Sequence, residues 1–353
     1  MRKTKAVQVG AVQIGGGAPV AVQSMTCTDT RNVRETVHQI KQLEDAGCEI
    51  VRVAVPDEEA AVALKDIKRQ ISTPLIADIH FNHRLALAAI ENGADGIRIN
   101  PGNISRNDIM EVVQSAKCHG TAIRIGINAG SLEKDLLVKY GGPKAPALVE
   151  SALRNLDYIA SAGFENIKLS LKSSHVATMI EAYREIAGKT DYPLHLGVTE
   201  AGSLLPSAIK SSIGIGILLY EGIGDTIRVS ITGNPLSEIG VAYGILRALN
   251  IRWVGPDIIS CPTCGRCEID LAKLVEEVER RLAGMKSYLK IALMGCVVNG
   301  PGEAAEADVG IAGGRGFGML FKKGKTIRKV REDDFIDVLM EEIQTIIADK
   351  KET

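Results

Sequence analysis

Eight short apolar runs recur through the first 250 residues, near Val20–Thr28, Glu49–Pro56, Pro74–Phe81, Gly96–Gly102, Ala122–Ala129, Asn166–Ser173, Pro193–Ala201 and Thr226–Gly233. Between them lie stretches of helical period, among them Asn32–Ala46 stopped by Gly47, His83–Asn92 stopped by Gly93, Ala147–Ala162 stopped by Gly163, Ser207–Tyr220 and Ser237–Leu249. A strand followed by a helix returns the chain to a parallel neighbour, and eight such units predict an α/β fold: a TIM (β/α)8 barrel of about the usual ~250 residues. An open doubly wound sheet is the competing reading, but no Gly-x-Gly-x-x-Gly follows the first strand.

After Leu249 the pattern changes. Asn250–Ser260 reads as a connection, and helix Ile269–Met285, strand Leu289–Leu293, strands near Asp308–Ile311, Gly318–Phe321 and Thr326–Val330, and helix Phe335–Asp349 predict a compact α+β unit. The expected domains are 1–250 and 251–353. With 353 residues, 45% of them hydrophobic, the chain can bury a sizeable core in the larger of the two.

Side chains alternate along a strand, so residues at i and i+2 share a face. In the barrel strands this alternation groups Asp78, His80 and Asn82; Arg98 and Asn100; Arg124, Gly126 and Asn128; Lys168, Ser170 and Lys172; His195, Gly197 and Thr199; and Arg228, Ser230 and Thr232, with Arg52 on the second strand. The opposite faces are aliphatic and pack under the helices, so the polar set is expected in the lumen, toward the C-terminal mouth. A buried cation without a partner costs several kcal/mol. Asp78 and Glu200 cannot neutralise Arg52, Arg98, Arg124, Lys172 and Arg228 together. Internal salt bridges with water are one answer. A ligand with several negative charges is the better one, because guanidinium forks match phosphate oxygens. The expected substrate is a small phosphate or diphosphate ester, with His80 and Glu200 as candidates for handling protons.

A second signal lies near the C-terminus, where Cys261-Pro262-Thr263-Cys264-Gly265-Arg266-Cys267 is followed about 30 residues on by Gly295-Cys296-Val297-Val298-Asn299-Gly300-Pro301-Gly302-Glu303. A Cys-x2-Cys pair with a further cysteine in a Gly/Pro-rich loop offers thiolates to a metal, and we read an iron–sulfur site. Zinc held by Cys261, Cys264, Cys267 and Cys296 is the rival; it would make the chain a zinc-stapled phosphate-binding or regulatory protein without redox chemistry. A disulfide framework is disfavoured by the odd count of 7 cysteines and the lack of a secretory leader. Cys48 and Cys118 read as small buried residues beside helix ends, and Cys27 as a possible pocket residue. The net charge of −1, and the lack of a basic tract or aromatic stripe in this reading, argue against nucleic acid. No run approaches the ~18 apolar residues that cross a bilayer, so a cytoplasmic protein is expected.

Several runs together resemble the 4-hydroxy-3-methylbut-2-en-1-yl diphosphate synthase family: Ala21–Thr26 (AVQSMT), Ile50–Pro56 (IVRVAVP), Ala77–Phe81 (ADIHF), Arg98–Asn103 (RINPGN), Arg124–Lys134 (RIGINAGSLEK), His195–Gly202 (HLGVTEAG), Cys261–Cys264 (CPTC) and Cys296–Glu303 (CVVNGPGE). The resemblance spans essentially the whole chain in the two-domain form typical of bacteria. It implies reductive opening of 2-C-methyl-D-erythritol 2,4-cyclodiphosphate with loss of water, a late step of the non-mevalonate isoprenoid pathway. It also implies a [4Fe–4S] cluster held by Cys261, Cys264, Cys296 and Glu303, with Cys267 outside the ligand set. The implied clamp is Arg52, Arg98, Arg124, Asn128 and Lys172 with Arg228 and Ser230. Asp78, His80, Thr199 and Glu200 are implied near the reacting carbons, Glu200 as the proton-transfer group. No flavin or nicotinamide motif is visible, so electrons are expected from a flavodoxin or ferredoxin. The resemblance further implies a homodimer in which the cluster domain of one subunit closes the barrel of the other.

Overall fold

The structure is a computed structural model that describes residues 1–79, 82–296 and 304–352, with the side chains of residues 103, 351 and 352 left aside. It divides into two compact units, Met1–Arg252 and Trp253–Thr353.

The first unit opens with an antiparallel hairpin, β1 (Val7–Val9) and β2 (Val12–Ile14), that turns at Gly10 with φ 54°. Eight parallel strands follow: β3 (Ala21–Met25), β4 (Ile50–Ala54), β5 (Leu75–Asp78), β6 (Gly96–Ile99), β7 (Ala122–Asn128), β8 (Ile167–Lys172), β9 (His195–Leu196) and β10 (Thr226–Ile227). They pair in the order β8-β7-β6-β5-β4-β3-β10-β9. A single parallel bridge, Leu169 to Leu194, closes the ring. The helices between them are α1 (Val33–Asp45), α2 (Glu58–Lys68), α3 (His83–Glu91), α4 (Arg106–His119), α5 (Lys134–Tyr140), α6 (Ala145–Ala160), α7 (Val176–Ala187), α8 (Leu204–Tyr220) and α9 (Leu236–Ala248). Side chains in the loops that follow the strands start several of them. Asn32 caps Glu35, Asp57 caps Ala60 and Ser105 caps Asp108, each accepting from a backbone N–H that the helix cannot satisfy.

Val7, Val9 and Ile14 of the hairpin pack against Ala21, Ile50, Ile76 and Ala122, at or next to the first residues of their strands. The hairpin therefore plugs the N-terminal mouth, and the C-terminal ends of the strands are the end at which a ligand can enter.

β9 and β10 are shorter than their polar alternation suggests. At Gly197 the backbone comes so close to Arg228 that a Cβ would lie 2.6 Å from its carbonyl oxygen, and the regular ladder stops at Leu196. Irregular bonds replace it, with Arg228 N donating to Leu196 O at 3.0 Å and Thr199 N to Ser173 O at 3.3 Å.

The seam between β8 and β9 is bridged by a side chain. Leu171 N donates to the Tyr183 hydroxyl at 3.0 Å, and that hydroxyl donates to His195 O, both within the buried interior. Tyr183→Phe leaves a buried donor and a buried acceptor alone, so chemical denaturation is expected to show a loss of about 1–3 kcal/mol. An unchanged unfolding midpoint would mean that the seam holds without the hydroxyl.

The second unit is a five-stranded sheet in the order β11 (Pro256–Ser260), β12 (Leu289–Met294), β13 (Val309–Gly314), β14 (Phe317–Lys322), β15 (Lys325–Arg331). The first three strands are parallel and the last two antiparallel. The apolar sides of α10 (Leu271–Arg281) and α11 (Phe335–Glu352) cover one face through Leu271, Leu274, Val278, Phe335, Leu339 and Ile343. β11 lies inside the segment expected to be a connection, so little chain separates the two units.

Candidate active site

Register builds the lumen. Asp78 pairs with Arg98, Arg98 with Arg124, and Arg124 with Lys168, so four charged residues stand side by side on β5 to β8. Further up the same two strands Gly126 pairs with Ser170 and Asn128 with Lys172. The small middle row makes room for its neighbours. A Cβ on Gly126 would lie 2.6 Å from Arg98 Nε, and one on Gly197 would lie 2.9 Å from Lys172 Nζ. Glycine at these two lumen positions is therefore what lets the cations of adjacent strands fold across the barrel.

The cations are deeply buried; Arg124 and Lys168 are each 1% exposed. Asp78 sits between two of them, 3.5 Å from Arg98 Nη1 and 3.9 Å from Arg52 Nε. With its amide oxygen toward the arginine, Asn128 accepts from Arg98 Nη2 at 3.0 Å. Arg228 has a counter-charge that the sequence reading overlooked. Glu238, on the first turn of α9 and 2% exposed, takes Arg228 Nη2 at 3.0 Å and Nε at 3.3 Å. It also accepts from Ser24 Oγ at 2.7 Å and Ile231 N at 3.1 Å. The expectation that Asp78 and Glu200 were the available carboxylates is thus corrected: the second buried carboxylate is Glu238, and Arg228 is paired.

The balance remains positive. Among the described residues Arg52, Arg98, Arg124, Lys168, Lys172 and Arg228 face two buried carboxylates, Asp78 and Glu238; a third, Asp225, is bonded to Thr4 and Leu194 N at the N-terminal end. Arg124 Nε and Nη1, Lys168 Nζ and His195 Nε2 have no hydrogen-bond partner among those residues. Burial, then the Arg52 and Arg98 charges, push the Arg124 pKa well below the usual arginine value. Burial, then Arg124 and Arg52, depress Lys168 and Lys172 in the same way. Burial followed by Arg124 and Lys172 keeps His195 well below the ordinary imidazole value, and so neutral. Arg52 falls to about 10, burial outweighing the attraction of Asp78. Unmatched buried positive charge of this kind is what an entering polyanion relieves.

One titration consequence has a definite sign. A bound anion favours charged lysine, so it raises the depressed Lys168 and Lys172 pKa values and draws protons in. Calorimetry of anion binding in two buffers of different ionisation enthalpy, on the alkaline side but below the ordinary lysine pKa, is expected to show net proton uptake. Proton release or no exchange would contradict the depressed lysines.

Thr199 is half-buried just after β9, and Glu200 is exposed with φ 53°, a left-handed backbone that side chains rarely adopt. Ser230 follows β10, where its carbonyl accepts from Ser207 Oγ at 2.8 Å. His80 lies outside the described residues. A cavity of about 590 Å³ beside Arg2, Asp157 and Tyr192 lies at the opposite, N-terminal face; its guanidinium is spent on the carbonyls of Ala187, Thr190 and Tyr192.

In the second unit, parallel pairing of β11 with β12 brings Ser260 opposite Leu293, so Cys261 and the Gly295–Cys296 turn leave the same end of the sheet. Gly295 N donates to Cys261 Sγ at 3.2 Å. Backbone N–H and charge from Arg266 lower the Cys264 pKa, toward thiolate. Cys267 lies against Gly295 too, its Sγ 2.5 Å from where a Gly295 Cβ would be, but its thiol donates to Ile269 O at 3.2 Å. Thiols with N–H donors at sulfur suit iron or zinc. Glu303 lies outside the described residues, and among those described no three His, Cys, Asp or Glu side chains gather as a metal site. Of the other cysteines, Cys118 departs from expectation. Cys118 is exposed rather than buried, and Cys27 is exposed and bonded to Gln39, with Gln39 Nε2 3.1 Å from its Sγ. Cys48 is buried, its thiol pushed up to about 12 by desolvation.

Residues 4–243 match the GcpE TIM-barrel domain and residues 257–345 the GcpE protein C-terminal domain. The 4-hydroxy-3-methylbut-2-en-1-yl diphosphate synthase (flavodoxin) of Caldanaerobacter subterraneus subsp. tengcongensis is 57% identical over 352 residues, covering 99% of each chain. The proteins of the same name from Nitratidesulfovibrio vulgaris and Geobacter sulfurreducens are each 56% identical, covering 99% of this chain and 91% and 99% of their own. Among solved structures, Yersinia pestis dihydropteroate synthase superposes with a TM-score of 0.50 at 14% identity, over 70% of this chain and 99% of that one. A Xanthomonas albilineans dihydropteroate synthase in complex with 7,8-dihydropteroate gives 0.50 at 13%, over 70% and 99%. At such identity these two show the fold alone.

Proposed function

The chain belongs to the GcpE family, and on that premise we propose that it carries out the reaction of its 4-hydroxy-3-methylbut-2-en-1-yl diphosphate synthase relatives. It is an enzyme that reductively opens 2-C-methyl-D-erythritol 2,4-cyclodiphosphate and eliminates water to give 4-hydroxy-3-methylbut-2-enyl diphosphate. The reaction consumes two electrons and two protons, and flavodoxin is the donor in the relatives' names. The observation that carries this reading is the unmatched positive charge of the lumen, which calls for a compact ligand with several negative oxygens.

Arg52, Arg98, Arg124, Asn128 and Lys172 clamp the phosphate oxygens, and Arg228 and Ser230 complete the ring beside β10. Asp78 bridges Arg52 and Arg98, and Asp78, Thr199 and His80 are the residues the reading assigns to the carbon skeleton. Glu200, on the solvent side of the mouth, delivers a proton. Cys261, Cys264, Cys296 and Glu303 would hold a [4Fe–4S] cluster, which supplies single electrons and an iron able to bind a substrate oxygen. Glu303 would add a hard carboxylate to three thiolates in that ligand set. The protein works in the cytoplasm, where these thiols stay reduced; no helix among the described residues is long and apolar enough to cross a membrane.

A homodimer with shared sites is part of this reading, and the path of the chain supports it. Arg252, the last residue of the barrel unit, donates to Val20 O at 2.8 Å and to Glu49 at 2.7 Å, both at the N-terminal face. The chain thus leaves the barrel opposite its cationic mouth, and the cysteine loop of a second copy completes the site. Arg124→Ala and Cys296→Ser proteins mixed under subunit exchange should regain activity through heterodimers with one intact site. Demonstrated exchange without activity would refute the shared site.

Anaerobic incubation of the reconstituted protein with the cyclic diphosphate and a strong one-electron donor tests the reaction itself. Formation of the linear diphosphate is expected. A colourless protein with bound zinc and no turnover would instead support the redox-silent, zinc-stapled reading.

A further inference from the structure

The second unit presents a cationic edge that the reaction at the lumen does not use. Between Val309 and Arg331 the sequence holds seven cations, Arg315, Lys322, Lys323, Lys325, Arg328, Lys329 and Arg331, and no carboxylate, in a chain whose net charge is −1. β15 is the edge strand of its sheet, and every residue of it except Val330 is exposed. Lys322 pairs with Glu342, and Arg331 lies 3.5 Å from Asp333. Lys323, Lys325 and Arg328 have no carboxylate partner among the described residues, and Lys329 lies 3.6 Å from the centre of the Phe317 ring. Ile327 is exposed in the middle of the row, half of its surface open.

This edge is near the cysteines. Register places Met294, Ala312, Met319 and Lys329 in one row across the sheet. Three strand spacings put Lys329 roughly 14 Å from Met294, which is two residues before Cys296. Arg315 tightens the link. It lies 3.6 Å from Glu268, whose backbone N–H donates to Gly295 O at 2.8 Å. Lysines on an edge strand also guard against sheet-to-sheet pairing, a role that needs no partner. That role does not call for the arginine beside the cysteine loop, nor for an exposed isoleucine among the charges.

We propose that the β14–β15 edge, with Arg315, Lys325, Arg328, Lys329 and Arg331, is the docking surface for the electron donor, a carrier protein with an acidic face, seated by charge and by Ile327 beside the cysteine loop. The proposal rests on the reductive reading above, because that reading is what requires a separate carrier. The charge complementarity steers the encounter, so the association is salt-sensitive.

The test compares two electron sources on the reconstituted enzyme: an acidic flavodoxin and a small chemical one-electron donor. The Lys325→Glu/Arg328→Glu/Lys329→Glu protein is expected to keep its turnover with the chemical donor while its KM for flavodoxin rises roughly tenfold or more. A Lys41→Glu/Lys65→Glu protein, altered at exposed lysines of the barrel helices, should keep both activities. Titration of oxidised flavodoxin against wild type and variants gives a readout apart from turnover, with wild-type affinity falling as salt is added. Unchanged flavodoxin KM and affinity in the triple variant would overturn the docking surface. If wild type turns over with neither donor, it is the reductive reading that fails, and the flavodoxin titration still decides whether this edge binds an acidic partner. A triple variant that loses chemical-donor turnover is replaced by Lys325→Gln/Arg328→Gln/Lys329→Gln, judged by the same titration.

Discussion

Replacement of Cys261, Cys264 or Cys296 by serine is expected to abolish stable cluster incorporation, with loss of visible absorbance, iron and activity together, while Cys267→Ser retains all three. The hydrogen bonds of Cys261 and Cys267 differ. Cys261 accepts an N–H from Gly295, as a thiolate ligand would, and the Gly295–Cys296 turn leaves the strand paired in parallel with the one that ends before Cys261. Cys267 instead donates to Ile269 O and fills space beside Gly295, among the partly buried residues of the sheet core. Its exchange for serine removes a small packed group and a weak donor. Iron loss in the Cys267→Ser protein equal to that of the other three would overturn the ligand assignment. Glu303→Ala should lose activity more completely than iron, because three thiolates still hold a damaged cluster.

Gly126→Ala is expected to remove most of the turnover without touching a charge. Its Cβ would stand 2.6 Å from Arg98 Nε and 3.4 Å from both Cγ and Cζ, so the guanidinium must leave its place between Asp78 and Asn128. Arg98→Ala removes the same hydrogen bonds outright and should weaken substrate binding by about 1.5–3 kcal/mol, the range for hydrogen bonds to charged groups. If the glycine acts through the arginine, the double variant binds no worse than Arg98→Ala alone. Additive losses in that cycle would mean that Gly126 serves the barrel rather than the clamp.

The barrel was legible in the sequence because each of its strand–helix units repeats the same apolar and helical periods. The lumen was legible because alternation sorts polar from aliphatic side chains along β4 to β8. Glu238 was not, because it comes from the first turn of a helix, where an acidic residue ordinarily reads as a solvated partner of the helix dipole. The N-terminal hairpin has strands of three residues, too short to show a period, and β11 hid in what looked like a connection. The alternation His195, Gly197, Thr199 outran the real ladder, since nothing in a pattern of types reveals that the Gly197 backbone meets a carbonyl. The basic tract from Lys322 to Arg331 escaped notice because a near-neutral whole-chain charge conceals an edge strand of one sign. His80 and Glu303 lie outside the described residues, so their roles rest on the family resemblance.

The lumen is read as a clamp for a cyclic diphosphate. Its most direct test is titration calorimetry of the metal-free protein with that compound, where no redox step intervenes. The expected result is saturable binding that takes up protons, weakens by about 1.5–3 kcal/mol in Arg98→Ala or Arg124→Ala, and is unaffected by Cys261→Ser. Equal affinity in wild type and both arginine variants would show these arginines to be structural and the clamp to lie elsewhere.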